Sequence, residues 1–338
     1  MNGKTDTKRI DGLDVLKGFL IVLVLVGHFI RPPAKSGFVH YLIYSFHLPL
    51  LLAVSGYLLS EQSLGNVTFP TLLRKYLFRV GVPWAIAFLF FFLYEHREAI
   101  LSGRLTAATV ADALLYPWHH LWFIPAYVAM AVTTYILVKI RAPLVAVAVI
   151  ALIFSVVWRG TMSDRIRDLA CLYWLGDKRF GHLYCFFLIG FLMRNRFSRS
   201  FSTPELWLAA AALGVARIVL FFTPRPPALN AVSFVALNAV LALPVLSAVS
   251  RMRTLKLPPL NFIGKQSLGV YLWHPAVTIV CGVLVQRDYG LTAFYVSTAI
   301  LSCTALVPGI AILSRIGFID RWVLGNIRRP AKTFSETA

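Results

Sequence analysis

Ten stretches of this chain are apolar over enough residues to approach or exceed the thickness of a bilayer, and little sequence is left between them for any other fold. They run over 13–31, 39–60, 77–95, 120–139, 143–158, 181–195, 205–223, 229–250, 267–285 and 293–314. A helix rises about 1.5 Å per residue and the hydrocarbon layer is about 30 Å thick, so one crossing needs about 20 apolar residues. The fifth and sixth runs are the short ones. Lipid offers no hydrogen bonds to the backbone, so runs of this kind fold as helices that satisfy their own N–H and C=O groups. The expectation is an all-α polytopic membrane protein with about ten transmembrane helices in a single bundle and both termini cytoplasmic. Only 14% of the residues are charged, against about 25% in a soluble domain.

The formal net charge is +19, a value that by itself would suit nucleic acid. The basic residues fall between the apolar runs, however, with no basic face, RNA-binding signature or zinc spacing, so no nucleic acid partner is expected. Orientation and contact with membrane lipids account for the charge. A cytoplasmic N-terminus puts Lys8, Arg74, Arg79, Lys139, Arg251 and Lys265 on the inner side, as the positive-inside rule requires. The expected organisation is a cytoplasmic segment 1–10, one membrane domain 11–325 and a cytoplasmic tail 326–338, with both ends mobile. The first helix is expected to be retained rather than cleaved, since its apolar run carries Asp14 and Lys17 and lacks a small-residue cleavage site. Leu169 to Leu175 form an apolar patch among charges that could lie flat on the membrane. Cys185, Cys281 and Cys303 read as buried thiols, Cys171 has no evident partner, and no disulfide is expected.

Chemistry is to be sought where polar groups interrupt lipid-compatible sequence, because each such group is expensive there. Asp14, Lys17 and His28 share one face of the first helix, with Lys17 and His28 about 16 Å apart along the axis. Histidine takes and releases a proton near neutral pH, which makes His28 the candidate general base. Asp14 and Lys17 can serve the same site or form an interfacial ion pair. In the second run, Pro49 and Gly56 could open the helix so that backbone groups line a cavity, or Ser55 and Gly56 could simply be small packing residues. His47 could support His28 or be satisfied within the bundle.

Arg74, Lys75 and Arg79 cluster before Pro83, where they would suit a phosphate-rich cytosolic ligand or merely anchor the chain. His120 and Trp122 open the fourth run, and Tyr271 and His274 share a face of the ninth. Arg217 lies inside the seventh run and needs a partner that the sequence does not name. His119 and His120 are adjacent and cannot both face one metal from a helix, so no metal is expected. There is no His followed five positions later by Asp, no Gly-x-Ser-x-Gly elbow and no P-loop, so any site must be assembled across helices.

Taken in order, these pieces resemble the acyltransferase 3 family: Lys17 and His28 with ten residues between them and Gly18 after the lysine, Phe46-His47-Leu48-Pro49 leading to Ser55-Gly56-Tyr57, the basic run before Pro83, His120-Leu121-Trp122-Phe123, and Gly264 to Pro275. The Lys-Gly form and the short length look most like its fucose 4-O-acetylase branch. The resemblance implies an inner-membrane enzyme that moves an acyl group, usually acetyl, from cytosolic acetyl-CoA or another acyl-CoA to a hydroxyl of a cell-envelope carbohydrate or lipid-linked sugar. It implies that His28 is essential, with Lys17 standing where many members carry arginine. Arg74, Lys75 and Arg79 would hold the donor, and His47, Ser55, His120, Trp122, Tyr271 and His274 would line the cavity. A secondary transporter of a small polar solute is the rival class, since buried ionisable groups and Gly- or Pro-interrupted helices also suit a carrier.

Overall fold

Each apolar run becomes a helix. The computed structural model describes residues 10–30, 37–115, 120–162, 181–197, 200–224 and 226–326. The apolar helices, in chain order, are α1 (Asp11–Phe29), α2 (Phe38–Tyr57), α3 (Phe69–Glu95), α4 (Phe123–Lys139), α5 (Leu144–Thr161), α6 (Tyr184–Asn195), α7 (Pro204–Phe222), α8 (Pro227–Arg251), α9 (Ser267–Val285) and α10 (Ala293–Leu313). Eight of them are long and apolar enough to cross a membrane, and α4 and α6 are shorter. No strand occurs among the described residues, and the chain is an all-α polytopic membrane protein. The patch Leu169 to Leu175, Cys171, and most of the two termini lie outside the described residues. Cys185 and Cys281 are buried, but Cys303 is exposed rather than buried as its apolar surroundings suggested, because α10 turns that face outward.

The short α6 is the centre of the bundle. Phe186, Phe187, Leu188 and Phe191 are completely buried, so this helix meets protein rather than lipid along most of its length. It lies against α2 through two reciprocal close approaches: a side chain on Gly56 would run into the Phe187 carbonyl, and one on Gly190 into the Ala53 carbonyl. Small residues that let backbones touch replace the missing hydrophobic drive between helices in lipid. Gly56 is therefore a packing residue, and α2 continues as a helix through both Pro49 and Gly56.

Prolines redirect single backbone groups rather than breaking helices. Pro49 cannot donate to the Ser45 carbonyl four residues back. That carbonyl accepts instead from Asn238 Nδ2 of α8 at 2.8 Å, so it bonds a neighbouring helix rather than lining a cavity. Pro83 likewise leaves the Arg79 carbonyl without its helical donor, and the preceding turn, Leu77–Gly81, widens to a π turn. The helix containing it starts at Phe69, eight residues earlier than hydropathy suggested, because Pro70 in its first turn is set for a helix start.

Arg217 finds its partners between α2, α7 and α8. Nη1 donates to Asn230 Oδ1 at 2.5 Å, to the Asn230 carbonyl at 3.1 Å and to Ser233 Oγ at 3.1 Å. Nη2 donates to Ser45 Oγ at 3.2 Å, and the guanidinium stands 4.8 Å over the Tyr41 ring. Hydrogen bonds to a charged group contribute about 1.5 to 3 kcal/mol each, and this residue is only 4% exposed. Arg217→Leu is expected to cost about 3 kcal/mol or more, read as a lowered melting temperature of the purified protein. Arg217→Lys should recover part of the loss, since it keeps the charge but not the planar fork.

Candidate active site

Where α1, α2, α3, α4 and α9 meet the chain that follows α10, they enclose a cavity of about 870 Å³, within the range of cofactor and ligand sites. Four cationic side chains among the described residues line it: Lys17 of α1, Lys75 and Arg79 of α3, and Lys265 just before α9. Tyr76, Tyr127, Ser55, Gln266 and Tyr271 add hydrogen-bonding groups, and Ile21, Leu51, Phe123 and Ile124 supply apolar wall. One carboxylate, that of Asp320, belongs to the lining among the described residues.

Lys17 is held by Asp14 three residues earlier, Nζ to Oδ1 at 3.0 Å. Asp14 is 4% exposed and does not line the cavity. Its carboxylate aims the lysine and offsets part of its charge. The neighbouring backbone is fixed by a second pair of close approaches, to the short helix Pro258–Lys265: a side chain on Gly18 would strike the Leu260 carbonyl, and one on Gly264 the Asp14 carbonyl. Both lysines of the α1 side, Lys17 and Lys265, thus sit next to a glycine at one tight helix contact.

Three histidines gather near the far end of α1. The ring centroids of His28 and His274 are 5.0 Å apart, those of His120 and His274 are 5.1 Å apart, and those of His28 and His120 are 6.3 Å apart. His28 comes from the last turn of α1. His120 comes from the turn before α4, which Trp84 of α3 secures by donating Nε1–H to the Leu121 carbonyl at 2.9 Å, while the Phe91 ring meets the His120 imidazole edge-on. His274 is oriented by the residue after it. Pro275 cannot donate to the Tyr271 carbonyl, and His274 Nδ1 takes that acceptor at 2.7 Å. A carbonyl only accepts, so Nδ1 carries the proton, and in the neutral ring Nε2 is left as a lone pair. This Nε2 is buried and has no hydrogen-bond partner among the described residues. By the same reasoning His120 Nε2, 3.2 Å from the Leu272 carbonyl, bears its proton there.

Tyr271 joins the two features. It lines the cavity, and its hydroxyl donates to the His120 carbonyl. The cavity therefore shares one wall residue, Tyr271, with the histidine cluster.

The structure brings most of the sequence-derived candidates together. Lys17, Lys75, Arg79, Ser55 and Tyr271 line the cavity, and His28, His120 and His274 form the cluster beyond it. Asp14 stands behind Lys17 without lining the cavity, and three further candidates fall elsewhere. The Arg74 guanidinium lies 5.8 Å from the Phe78 ring and does not line the cavity. His47 Nδ1 donates to the Ile43 carbonyl at 2.6 Å, which satisfies it within α2. Trp122 packs on Phe123 at 5.9 Å, and it is Phe123 that reaches the cavity. Ser55 donates to the Leu51 carbonyl at 2.8 Å, so Ser55 and Tyr271 must turn from backbone acceptors before either could stabilise an oxyanion. Sequence reasoning missed Lys265, Gln266, Asp320 and Asn326 as lining residues. A lysine and a glutamine directly before a span were the available signal for the first two.

Residues 10–314 match a family model described as an acyltransferase domain, which spans nearly the whole chain. The chain belongs to the acyltransferase 3 family. No curated protein and no solved structure matches it. With the ten apolar helices, the match makes this acyltransferase 3 member a membrane acyltransferase. The matched region ends at Ser314, so Asp320, Gly325 and Asn326 of the cavity wall lie beyond it.

Proposed function

We propose that this membrane acyltransferase takes an acetyl or other short acyl group from cytosolic acyl-CoA and transfers it to a hydroxyl of a cell-envelope carbohydrate or lipid-linked sugar. In this reading α1 begins at the cytoplasmic side of the inner membrane. The observation that carries it is that one cavity is lined both by Lys17, Lys75, Arg79 and Lys265 and by Tyr271, whose hydroxyl donates to the His120 carbonyl. Phosphates of the donor suit these cations, which make charge-assisted hydrogen bonds to them. Its thioester then lies toward the histidines. His28 either removes the proton of the acceptor hydroxyl as it attacks the thioester carbon, or attacks that carbon itself and passes the acyl group on. In both cases the C–S bond breaks, a C–O bond forms, and the hydroxyl proton ends on the departing thiol. Single-turnover labelling separates the routes, because only the second leaves acyl label on the protein.

The decisive experiment is mass spectrometry of O-acyl groups on envelope glycans from a host lacking this gene, complemented with wild type or with His28→Ala. Acylation restored by wild type alone supports the reading. No difference among the three strains, with both proteins present in the membrane, overturns it. The two neighbouring arginines give a finer test. Arg79→Ala is expected to raise the donor KM about tenfold with kcat unchanged, whereas Arg74→Ala should leave both within about twofold, since only Arg79 lines the cavity.

A further inference from the structure

The chain does not end its structural work at α10. After Ser314 it turns into the short helix Gly317–Trp322 and folds back along α3, so that Asp320, Gly325 and Asn326 close one side of the cavity. The fold-back is tightly defined. Gly325 has φ +74°, a left-handed conformation suited to glycine, and it tucks against the Arg79 carbonyl that Pro83 leaves without a helical donor. The Asn326 N–H donates to the Asp320 carbonyl at 2.8 Å. Asn326 Nδ2 donates both to Asp320 Oδ1 at 2.8 Å and to Gln266 Oε1.

That bonding pattern decides what the segment can offer a ligand. Both Nδ2 hydrogens of Asn326 are committed, so its carboxamide presents an acceptor oxygen, and the Asp320 carboxylate is an acceptor at every lone pair. Asp320 would repel phosphate, yet it stands in a lining that also holds Lys17, Lys75, Arg79 and Lys265. A ligand matched to such a wall carries phosphates in one part and N–H donors in another. We infer that Asp320 and Asn326 recognise the amino-bearing purine base of the acyl donor, beside the cations that take its phosphates. This rests on the acyl-CoA reading above and extends it to a segment beyond the matched acyltransferase domain.

The test compares acetyl-CoA with its 1,N6-etheno analogue, in which the amino edge of the base is blocked, as donors for the full-length enzyme. Wild type is expected to show a KM about tenfold higher for the analogue at equal kcat. Asp320→Asn should raise the acetyl-CoA KM to the analogue's level and leave the analogue's own KM unchanged. Arg79→Ala should raise both by one factor. Equal KM values for the two donors in wild type overturn the inference even if the variant fails to fold, as does an Asp320→Asn effect that falls on both donors alike or on kcat. If neither thioester is a substrate for wild type, it is the donor reading of the preceding subsection that fails.

Discussion

Replacing His28 with alanine is expected to remove acyl transfer while leaving the protein folded in the membrane. The loss should be on the order of 10³-fold if the imidazole acts as a general base, and complete to the limit of detection if it carries the acyl group. Folding should survive because the residue is half-buried in the last turn of α1, outside the helix contacts made by Gly18 and Gly264. His28 also stands within one ring contact of both His120 and His274. His274 Nε2, left as a buried lone pair, belongs to a ring 5.0 Å from that of His28, within reach of a proton-handling His28. The readouts are product formation by the purified enzyme and the protein's melting temperature, taken on the same preparation. Transfer at the wild-type rate in His28→Ala would end the assignment, whereas loss of both activity and melting transition would show that the residue is structural. His28→Gln, which keeps the volume and a hydrogen-bonding end but cannot shuttle a proton, should be as inactive as alanine.

The parts of this molecule that were legible in its sequence are those dictated by the lipid. Ten apolar runs became ten helices because hydrocarbon thickness and backbone satisfaction leave no other solution. The expense of polar groups in that setting also drew attention to Lys17, His28, Tyr271 and His274. What the sequence left open were choices settled only by the neighbouring helix. Pro49 frees one carbonyl wherever it occurs, but whether that carbonyl lines a cavity or bonds Asn238 depends on where α8 lies. Arg74 and Arg79 are equivalent as sequence, yet the π turn before Pro83 turns one to the cavity and leaves the other over Phe78. Asp320 lies in a short helix beyond the last span. Its meaning arises from the fold-back that sets it in one cavity lining with Lys75 and Arg79, which no local pattern announces.

Gly264→Ala should be among the most damaging single-methyl changes in the chain, and its effect should reach both fold and site. The new methyl would meet the carbonyl of Asp14, and the neighbouring contact, Gly18 on the Leu260 carbonyl, is its mirror image across the same interface. Neither obstacle is the flexible end of a side chain, so the helix Pro258–Lys265 must move away from α1. Overpacking against adjustable neighbours costs about 1 to 3 kcal/mol, and a backbone obstacle places this change at about 3 kcal/mol or more. At a few degrees per kcal/mol, the melting temperature should fall by about 10 °C. Gly214→Ala in α7 is the control. Nothing lies within 4 Å of that position, and alanine is the better helix former by about 1 kcal/mol, so its melting temperature should hold or rise. Separation of the two helices would also shift Lys265 and Lys17, both in the cavity lining, so the Gly264→Ala protein that survives should show a raised donor KM. Gly18→Ala should behave alike, and the double variant should cost less than the two single changes together. One displacement of the helix makes room for both methyls. Additive losses would mean that the two contacts give way independently, and a Gly264→Ala protein as stable as the Gly214→Ala control would mean that the backbones do not touch there.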